Sequence, residues 1–576
     1  MIEFIFTIAI LTLFSLAGRA ALLPFRQNIP YLAFATPITG LLLTVLLTSA
    51  LYSVAGFSFT YATYTALLSL SLLSFISFIY VKPQLTHIKW LIPVVLLVLL
   101  MTYLTNYTTL TLGQQGFLFM DGTDHLGYAH PADWILNHFA NQTPVLSADK
   151  PYDSWPYFMF HDDPRAGSYF TLALIAKLRG LSSMFAYDPS CAIILSAGIL
   201  GVAGIYARSS LTFFLLLVGL SFSHWFDYSR SGYLAKILAY PSALVCLGLF
   251  LQAPRPFLTK TLVPLFFLVA ATTIMHSFLS TALVLIVIGG LFLLISCLRK
   301  KNITDDTLTL LLLVSTAIVI TGVLARPQNL SGIGNINTHW SALLPQLLDL
   351  EFLIDGPHLS HLGRARLLFA FEFMTLSAIF YLIVAIKNKI DFAITFISAA
   401  IILLLFFILK KSYWPAYQMT GVFYPWFLCS AAILLDQTKA KTKLFYAILI
   451  TLIISILLHL PRFIGAIHHY AGKNITHSLQ FLQNDFLKLT ETIGNQSVQI
   501  DVPDHQYAIP LLVELGRKNI HWQWTSKSWK EVLGYRDWPA PTYKTRATWL
   551  IRLKPAANNK RCKLVVDTRQ YQLLSC

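Results

Sequence analysis

Residues 444–460 read Leu-Phe-Tyr-Ala-Ile-Leu-Ile-Thr-Leu-Ile-Ile-Ser-Ile-Leu-Leu-His-Leu, and this stretch decides the fold class. It carries no Asp, Glu, Lys or Arg and lies between the basic cluster Lys439–Lys443 and Pro461. A helix needs roughly 20 apolar residues to cross ~30 Å of hydrocarbon. The pattern therefore predicts a transmembrane helix, and similar stretches recur along most of the chain.

The composition supports the same class over the whole chain. Of 576 residues, 56% are hydrophobic and only 12% are charged, whereas soluble proteins carry about 25% charged residues. Soluble domains are therefore excluded for most of the length. The six cysteines include no C-x-x-C pair, which argues against a structural zinc site. The net charge of +16 favours anionic lipids or phosphate-bearing substrates over nucleic acid.

Fifteen apolar stretches are candidate spans: 2–18, 31–55, 58–81, 90–107, 167–181, 188–206, 209–225, 236–253, 261–277, 279–298, 307–325, 366–386, 391–409, 419–436 and 444–460. The positive-inside rule orients them and places six basic loops in the cytoplasm: Arg19–Arg26, Lys82–Lys89, Arg255–Lys260, Arg299–Lys301, Lys387–Lys389 and Lys439–Lys443. Four candidate stretches lie between the first long outer loop and the basic loop at Arg255. An odd number of crossings is needed to connect the two sides, so one of the four must not cross. We expect this to be 167–181, which is short and contains Lys177 and Arg179, so about 14 spans remain.

These boundaries predict an all-α polytopic membrane domain, 1–466, and a small α/β or α+β soluble domain, 467–576. Outer loops 106–166 and 326–365, the N-terminus and the C-terminal domain would share the outer side. For a bacterial inner membrane this is the periplasmic side. The tail shows a strand–helix–strand pattern, Val498–Val502, Tyr507–Leu515 and Ile520–Trp524, followed by strand-like runs Thr548–Leu553 and Lys563–Leu574. Cys562 and Cys576 lie in this tail, and the sequence leaves open a disulfide or two free thiols.

The first outer loop opens with the sequence Asp121-Gly-Thr-Asp124, which we call the acidic segment. With His125 and Tyr128, its two carboxylates follow helical spacing and would share roughly one face. Such a group can bind a divalent cation such as Mg²⁺ or Mn²⁺, or remove a proton from a hydroxyl. The alternative is that a polar loop needs acids and that Asp121 caps the following helix.

A second cluster, His161-Asp162-Asp163, closes the same loop where the chain returns to the membrane. The two clusters would face each other across one cavity. The aromatic residues 155–160 before it fit an interfacial belt better than a sugar-stacking platform.

This arrangement resembles the GT-C class of membrane glycosyltransferases, which have many spans, an early outer loop opening with an acidic motif, and often a soluble outer domain. The matching residues are Asp121 and Asp124, with Asp162 and Asp163 as a second acidic pair. The resemblance implies a catalytic role for these four carboxylates, with Asp121 and Asp124 as the ligands if a metal is needed. It also implies a donor sugar carried on a polyprenyl phosphate or diphosphate.

A lipid-phosphate donor needs cations near the outer interface. We expect substrate contacts from His125, Tyr128, His161, Arg230, Lys236, Arg364 and Arg366. For any single basic residue, the alternative is a side chain that reaches the lipid head groups.

The sequence is compatible with three functions. The first is transfer of a sugar from a polyprenyl-phosphate donor. The second is a polysaccharide polymerase or ligase acting on lipid-diphosphate glycans, which would use the His and Arg residues of 326–366. The third is a transporter, against which the placement of charges at span ends argues. No P-loop motif is present, so ATP hydrolysis by that motif is excluded.

Overall fold

The computed structural model describes residues 2–25, 29–80, 90–119, 124–145, 156, 166–230, 233–252, 361–390, 393–395, 397–399, 401–402, 413–440, 442–471, 479–518, 520, 522–524, 547–554 and 562–575. Helices dominate among the described residues up to 471. In chain order they and the first strand are α1 (Ile2–Leu22), α2 (Thr36–Ser53), α3 (Phe59–Tyr80), α4 (Leu91–Thr105), α5 (Tyr107–Leu112), β1 (Gly116–Phe119), α6 (Asp124–Asn137), α7 (Ala166–Arg179), α8 (Tyr187–Tyr206), α9 (Ser210–Ser221), α10 (Trp225–Arg230), α11 (Leu234–Gln252), α12 (His361–Lys387), α13 (Tyr413–Gln437) and α14 (Lys443–Ala471).

Five described helices are long and apolar enough to cross a membrane: Ile2–Phe25, Leu32–Ser53, Phe59–Ser77, Tyr187–Tyr206 and Lys443–Pro461. The chain is therefore a membrane protein. The predicted number of about 14 spans is not confirmed, because candidates 261–277, 279–298 and 307–325 lie outside the described residues, as does much of 391–409.

The first two helices form an antiparallel pair with closely approaching backbones. A Cβ atom at Gly18 would overlap the carbonyl of Thr36, and one at Gly40 would overlap the carbonyl of Phe14. Small residues permit this approach between membrane helices. The pairing brings the start of α1 and the end of α2 to the same end of the bundle.

The two ends of the bundle are distinguished by their contacts. The Tyr31 ring stacks on Phe213 with centroids 4.8 Å apart, and the Arg208 amide donates to Asp436 Oδ2 at 2.7 Å. We call the end that holds these residues the opposite face. We call the other end, which holds Glu3 at the start of α1, the loop face. Helix α14 begins at Lys443, shortly after Asp436, and therefore starts at the opposite face. The Tyr381 hydroxyl of α12 hydrogen-bonds Thr451 in an early turn of α14, so Lys387, which ends α12, also lies toward the opposite face.

Helix α7 corresponds to the doubtful candidate 167–181, and it does not cross the bundle. Near its start the Phe170 ring lies 5.5 Å from that of Tyr52, at the end of α2. At its end Arg179 pairs with Glu3, at the start of α1. Both ends of α7 therefore lie at the loop face, as the parity of the basic loops predicts.

The tail forms a small sheet with two helices. Its elements are β2 (Leu479–Leu482), α15 (Gln483–Ile493), β3 (Val498–Asp501), α16 (His505–Arg517), β4 (Trp522–Trp524), β5 (Trp549–Leu553), β6 (Lys563–Asp567) and β7 (Tyr571–Ser575). The strand order is β4-β3-β5-β7-β6, with β3 parallel to β4 and β5, and β7 antiparallel to β5 and β6. The predicted strand–helix–strand pattern is thus present.

Two details of the tail differ from the sequence-based expectation. The run Lys563–Leu574 is a hairpin rather than one strand, because Thr568 turns the chain by donating its backbone amide to the Tyr571 carbonyl at 2.9 Å. In addition, Leu479–Leu482 is strand β2, which does not join the tail sheet. It pairs antiparallel with β1 of the first loop, from Gly116↔Leu482 to Phe119↔Leu479. The first loop and the tail therefore share one face of the protein.

Candidate functional site

The structure describes the side chains of only some predicted site residues. Four lie outside the described residues: Asp121, His161, Asp162 and Asp163. Four lie in helices whose backbone alone is described at those positions: Asp124 in α6, Arg230 in α10, and Arg364 and Arg366 in α12. The remaining three, His125, Tyr128 and Lys236, are described in full, and they lie close together at the loop face.

Helix α6 begins at the second carboxylate of the acidic segment and packs into the bundle. The His125 ring, 2% exposed, lies 4.8 Å from the ring of Tyr187, in the first turn of α8. Tyr128 is fully buried, and its hydroxyl accepts a hydrogen bond from the Ala235 amide at 3.4 Å. His125 and Tyr128, the two residues of the predicted face whose side chains are described, are therefore buried and contact α8 and α11.

Lys236 follows Ala235 in the first turn of α11 and is 8% exposed. Its Nζ lies 3.7 Å from the ring centroid of Tyr233 and 4.8 Å from that of Tyr228. The negative faces of aromatic rings attract a cation at such distances, and the attraction strengthens when the pair is desolvated. A positive charge is therefore held beside the point where α6 meets α11.

Asp133 anchors a later turn of α6, and His130 is buried in the same helix. Asp133 is fully buried and accepts a hydrogen bond from the Ser183 amide at 2.9 Å. Burial lowers the pKa of His130 to about 3. From the sequence alone, Asp133 would be one of several acids of the predicted outer loop 106–166, with little cost on replacement, but its burial and its hydrogen bond from Ser183 contradict that expectation. Its apolar neighbours Trp134 and Ile135 were the sequence signal for a packed helix.

The residues that can serve as metal ligands are limited. No group of three or more His, Cys, Asp or Glu side chains that could hold a metal ion occurs within the described part of the chain. The predicted ligands Asp121 and Asp124 are outside that search, because their side chains are not described. Oxygen ligands of this type suit Mg²⁺ or Mn²⁺, so the metal interpretation stays a prediction.

Sequence reasoning missed one polar group at this face. Glu3, Arg179 and Gln115 come from three distant parts of the chain and meet in a buried network. A single acid in the first turn of an apolar helix was the only local signal, because Glu3 lies where a helix N-terminus favours negative charge.

Comparison with known proteins identifies no family. No protein-family model matches the chain, and no curated protein matches it with significant similarity.

Proposed function

We propose that the protein is a membrane glycosyltransferase of the GT-C type, which moves a sugar from a polyprenyl-phosphate-type donor to an acceptor at the loop face. One observation carries the proposal. The helix that follows the acidic segment contacts α11 through Tyr128 and Ala235, directly beside the buried cation of Lys236. Carboxylates and a phosphate-binding cation are the two parts that this chemistry needs in one place.

The reaction assigns a role to each part. The acceptor hydroxyl oxygen forms a bond to the anomeric carbon of the donor, and the bond from that carbon to the phosphate oxygen breaks. Asp121 takes the hydroxyl proton, or binds a divalent cation together with Asp124. The departing polyprenyl phosphate keeps the bonding electron pair, and Lys236 and Arg230 stabilise its negative charge. Asp162 and Asp163 supply the second acidic pair.

The loop face would be the outer, periplasmic side of a cell inner membrane. The basic loops Lys387–Lys389 and Lys439–Lys443 lie toward the opposite face, which the positive-inside rule assigns to the cytoplasm. Cys562 of the tail is disulfide-bonded, and disulfides persist mainly in oxidising compartments. Both observations support the same orientation.

The direct experiment uses the purified full chain in lipid nanodiscs with polyprenyl-phosphate sugars as donors. We expect release of polyprenyl phosphate that depends on an acceptor. Lys236→Gln should lower kcat/KM roughly tenfold or more, because a charge-assisted hydrogen bond contributes about 1.5–3 kcal/mol. The matched control is Lys439→Gln on the opposite face, which should retain wild-type turnover.

The alternatives are outcomes of the same experiment. Turnover of lipid-diphosphate glycans only, with chain elongation of the product, would support a polysaccharide polymerase or ligase instead. Absence of turnover with every donor, together with movement of a solute across sealed vesicles, would support a transporter.

A further inference from the structure

Strand β1 leads into the acidic segment, and three separate contacts hold its start. The Gln115 amide Nε2 donates to Glu3 Oε1 at 2.7 Å. The Gln115 carbonyl accepts from the Gln483 amide at 3.0 Å. The Gly116 amide donates to Thr109 Oγ1 at 3.2 Å. The start of β1 is therefore tied to α1, to the tail and to α5.

The anchor at Glu3 is itself rigid. Arg179 Nη2 lies 2.6 Å from Glu3 Oε1 and 2.7 Å from Oε2, and the two side chains are 3% and 4% exposed. The Arg179 guanidinium also lies 4.2 Å over the ring of Phe6. A buried ion pair cannot open without leaving an uncompensated charge, so Gln115 is bound to a fixed point.

The partner strand is equally fixed, because β2 continues without a break into the tail domain. Helix α15 follows at Gln483, and its Phe486 ring lies 6.1 Å from that of Phe185, just before α8. Glu514 of α16 accepts a hydrogen bond from the Ser182 hydroxyl at 2.8 Å. The tail is therefore fastened to the same loop-face turn that Asp133 contacts.

The connection from β1 to α6 is short, and it contains Asp121. Strand β1 ends at Phe119, and α6 begins at Asp124 and is packed from His125 onward. Only residues 120–123 join these two elements in the sequence. We therefore expect a shift of β1 to be passed on to Asp121, because so short a connection has little length to absorb it.

We propose that Gln115 is a positioning residue, and that the β1–β2 pair is a strap through which the C-terminal domain sets the place of the acidic segment. The inference rests on the proposed function for the reaction that the segment performs. It extends that function, because the C-terminal domain would then help to position the acidic segment. A misplacement of about 1 Å can cost 10²-fold in rate, so loss of the strap should lower kcat strongly.

Gln115 is a better probe than its partner. Removing the charge of Glu3 would leave buried Arg179 without compensation and would destabilise the whole protein. Gln115→Ala removes one hydrogen bond to the Glu3 carboxylate and leaves the Glu3–Arg179 ion pair in place. A large loss of kcat with little change in KM for the donor and a small change in Tm would then report positioning.

A disulfide between β1 and β2, which can be formed and then reduced, tests the strap directly. Gln115 and Gln483 are opposite each other and hydrogen-bonded, so the alternation of antiparallel pairs makes Leu118 and Gln480 a non-hydrogen-bonded pair. Such pairs have Cα atoms about 4.5 Å apart, within the disulfide range. The variant L118C/Q480C should therefore form a disulfide, which peptide mapping detects. The pair L118C/K488C, with the second cysteine on the exposed side of α15, is the matched control and should not form one.

The two cysteines are then combined with Gln115→Ala. We expect kcat of the triple variant to be at least tenfold higher in the oxidised form than in the reduced form, with KM unchanged, whereas Gln115→Ala without the added cysteines, in which reduction opens only the native disulfide of Cys562, should show no such difference. Equal kcat in both forms, despite complete cross-linking, would overturn the positioning role, as would wild-type kcat in Gln115→Ala alone.

A separate measurement distinguishes failure of this inference from failure of the proposed function. Amide hydrogen exchange in the peptide that covers residues 116–126 should be faster in the reduced triple variant and slow again after oxidation. This result is expected even if the wild-type protein transfers no sugar. Exchange that does not respond to the disulfide would contradict the strap, whatever reaction the protein catalyses.

Discussion

The hydroxyl of Tyr128 accepts a hydrogen bond from the backbone amide of Ala235, 3.4 Å away, and so joins α6 to the start of α11. Tyr128→Phe leaves this buried amide without its acceptor, which should cost about 1–3 kcal/mol of stability. Thermal unfolding in detergent should show a lower Tm. Tyr103→Phe on α4, where the side chain is 42% exposed, is the control and should leave Tm unchanged. Equal Tm values for the two variants would contradict the contact.

The buried His130 predicts a specific loss of stability in acid. Its pKa is lowered to about 3 by burial, from an ordinary value of 6.5. Between these values the unfolded chain binds a proton that the folded protein does not, so stability falls as pH decreases from 6.5 toward 3. His130→Gln should unfold at a lower temperature at neutral pH but lose less stability on acidification. Identical pH slopes for wild type and variant, measured by Tm from pH 7 to pH 4, would show that His130 is not the source.

The tail sheet predicts the partner of Cys562, which is disulfide-bonded. Lys563 pairs with Ser575 at the open end of the β6–β7 hairpin. Cys562 and Cys576 are the next residues along the chain on the two sides of this pair, so we expect a bond between them. The enclosed loop of about 15 residues gives roughly 3 kcal/mol of stabilisation in a chain-entropy account. Cys562→Ser and Cys576→Ser should each lower the Tm equally, and the double variant should lower it no further. Peptide mapping that joins Cys562 to Cys297 would contradict the assignment.

The arrangement of the two faces can be tested by labelling single added cysteines in sealed vesicles. Val145 in the first loop and Lys563 in the tail are exposed, and they belong to the loop-face parts of the protein. Asn388 and Lys439 are exposed near the ends of α12 and α13. Cysteines at 145 and 563 should react from one side of the membrane, and cysteines at 388 and 439 from the other. Reaction of positions 145 and 388 from the same side would contradict the topology.

The sequence was sufficient to predict features that depend on local pattern. Hydropathy identified α1, α2, α3, α8 and α14 as spans. The orientation of the basic loops required one stretch not to cross, and the short length of 167–181 with its Lys177 and Arg179 indicated the stretch that forms α7. The strand–helix–strand pattern of the tail followed from periodicity. Each of these features produces a pattern that is repeated over many neighbouring residues, so it can be recognised without knowledge of the tertiary contacts.

Features that depend on distant contacts could not be predicted in the same way. Strands β1 and β2 are four residues each, too short for a period-2 signal, and each is stabilised by a partner far away in the chain. In the sequence, Asp133 is one of several acids in a predicted loop. Only the packing of α6 against the turn at Ser183 makes it a buried anchor. The Glu3–Arg179 pair likewise joins two helices whose neighbouring residues do not indicate it.

If the acidic segment performs the chemistry, Asp121→Asn should lose most of its turnover. This change keeps the size of the side chain and removes its charge. Loss of a general base commonly costs ~10²–10⁴-fold in rate. The assay follows consumption of the polyprenyl-phosphate donor at equal membrane expression, with Asp149→Asn, later in the same loop, as the matched control. We expect a loss of that size for Asp121→Asn and near-normal turnover for the control. Near-normal turnover in Asp121→Asn, with Arg364→Ala or His361→Ala inactive, would show that the acidic segment is not catalytic and would place the active site in the loop 326–365.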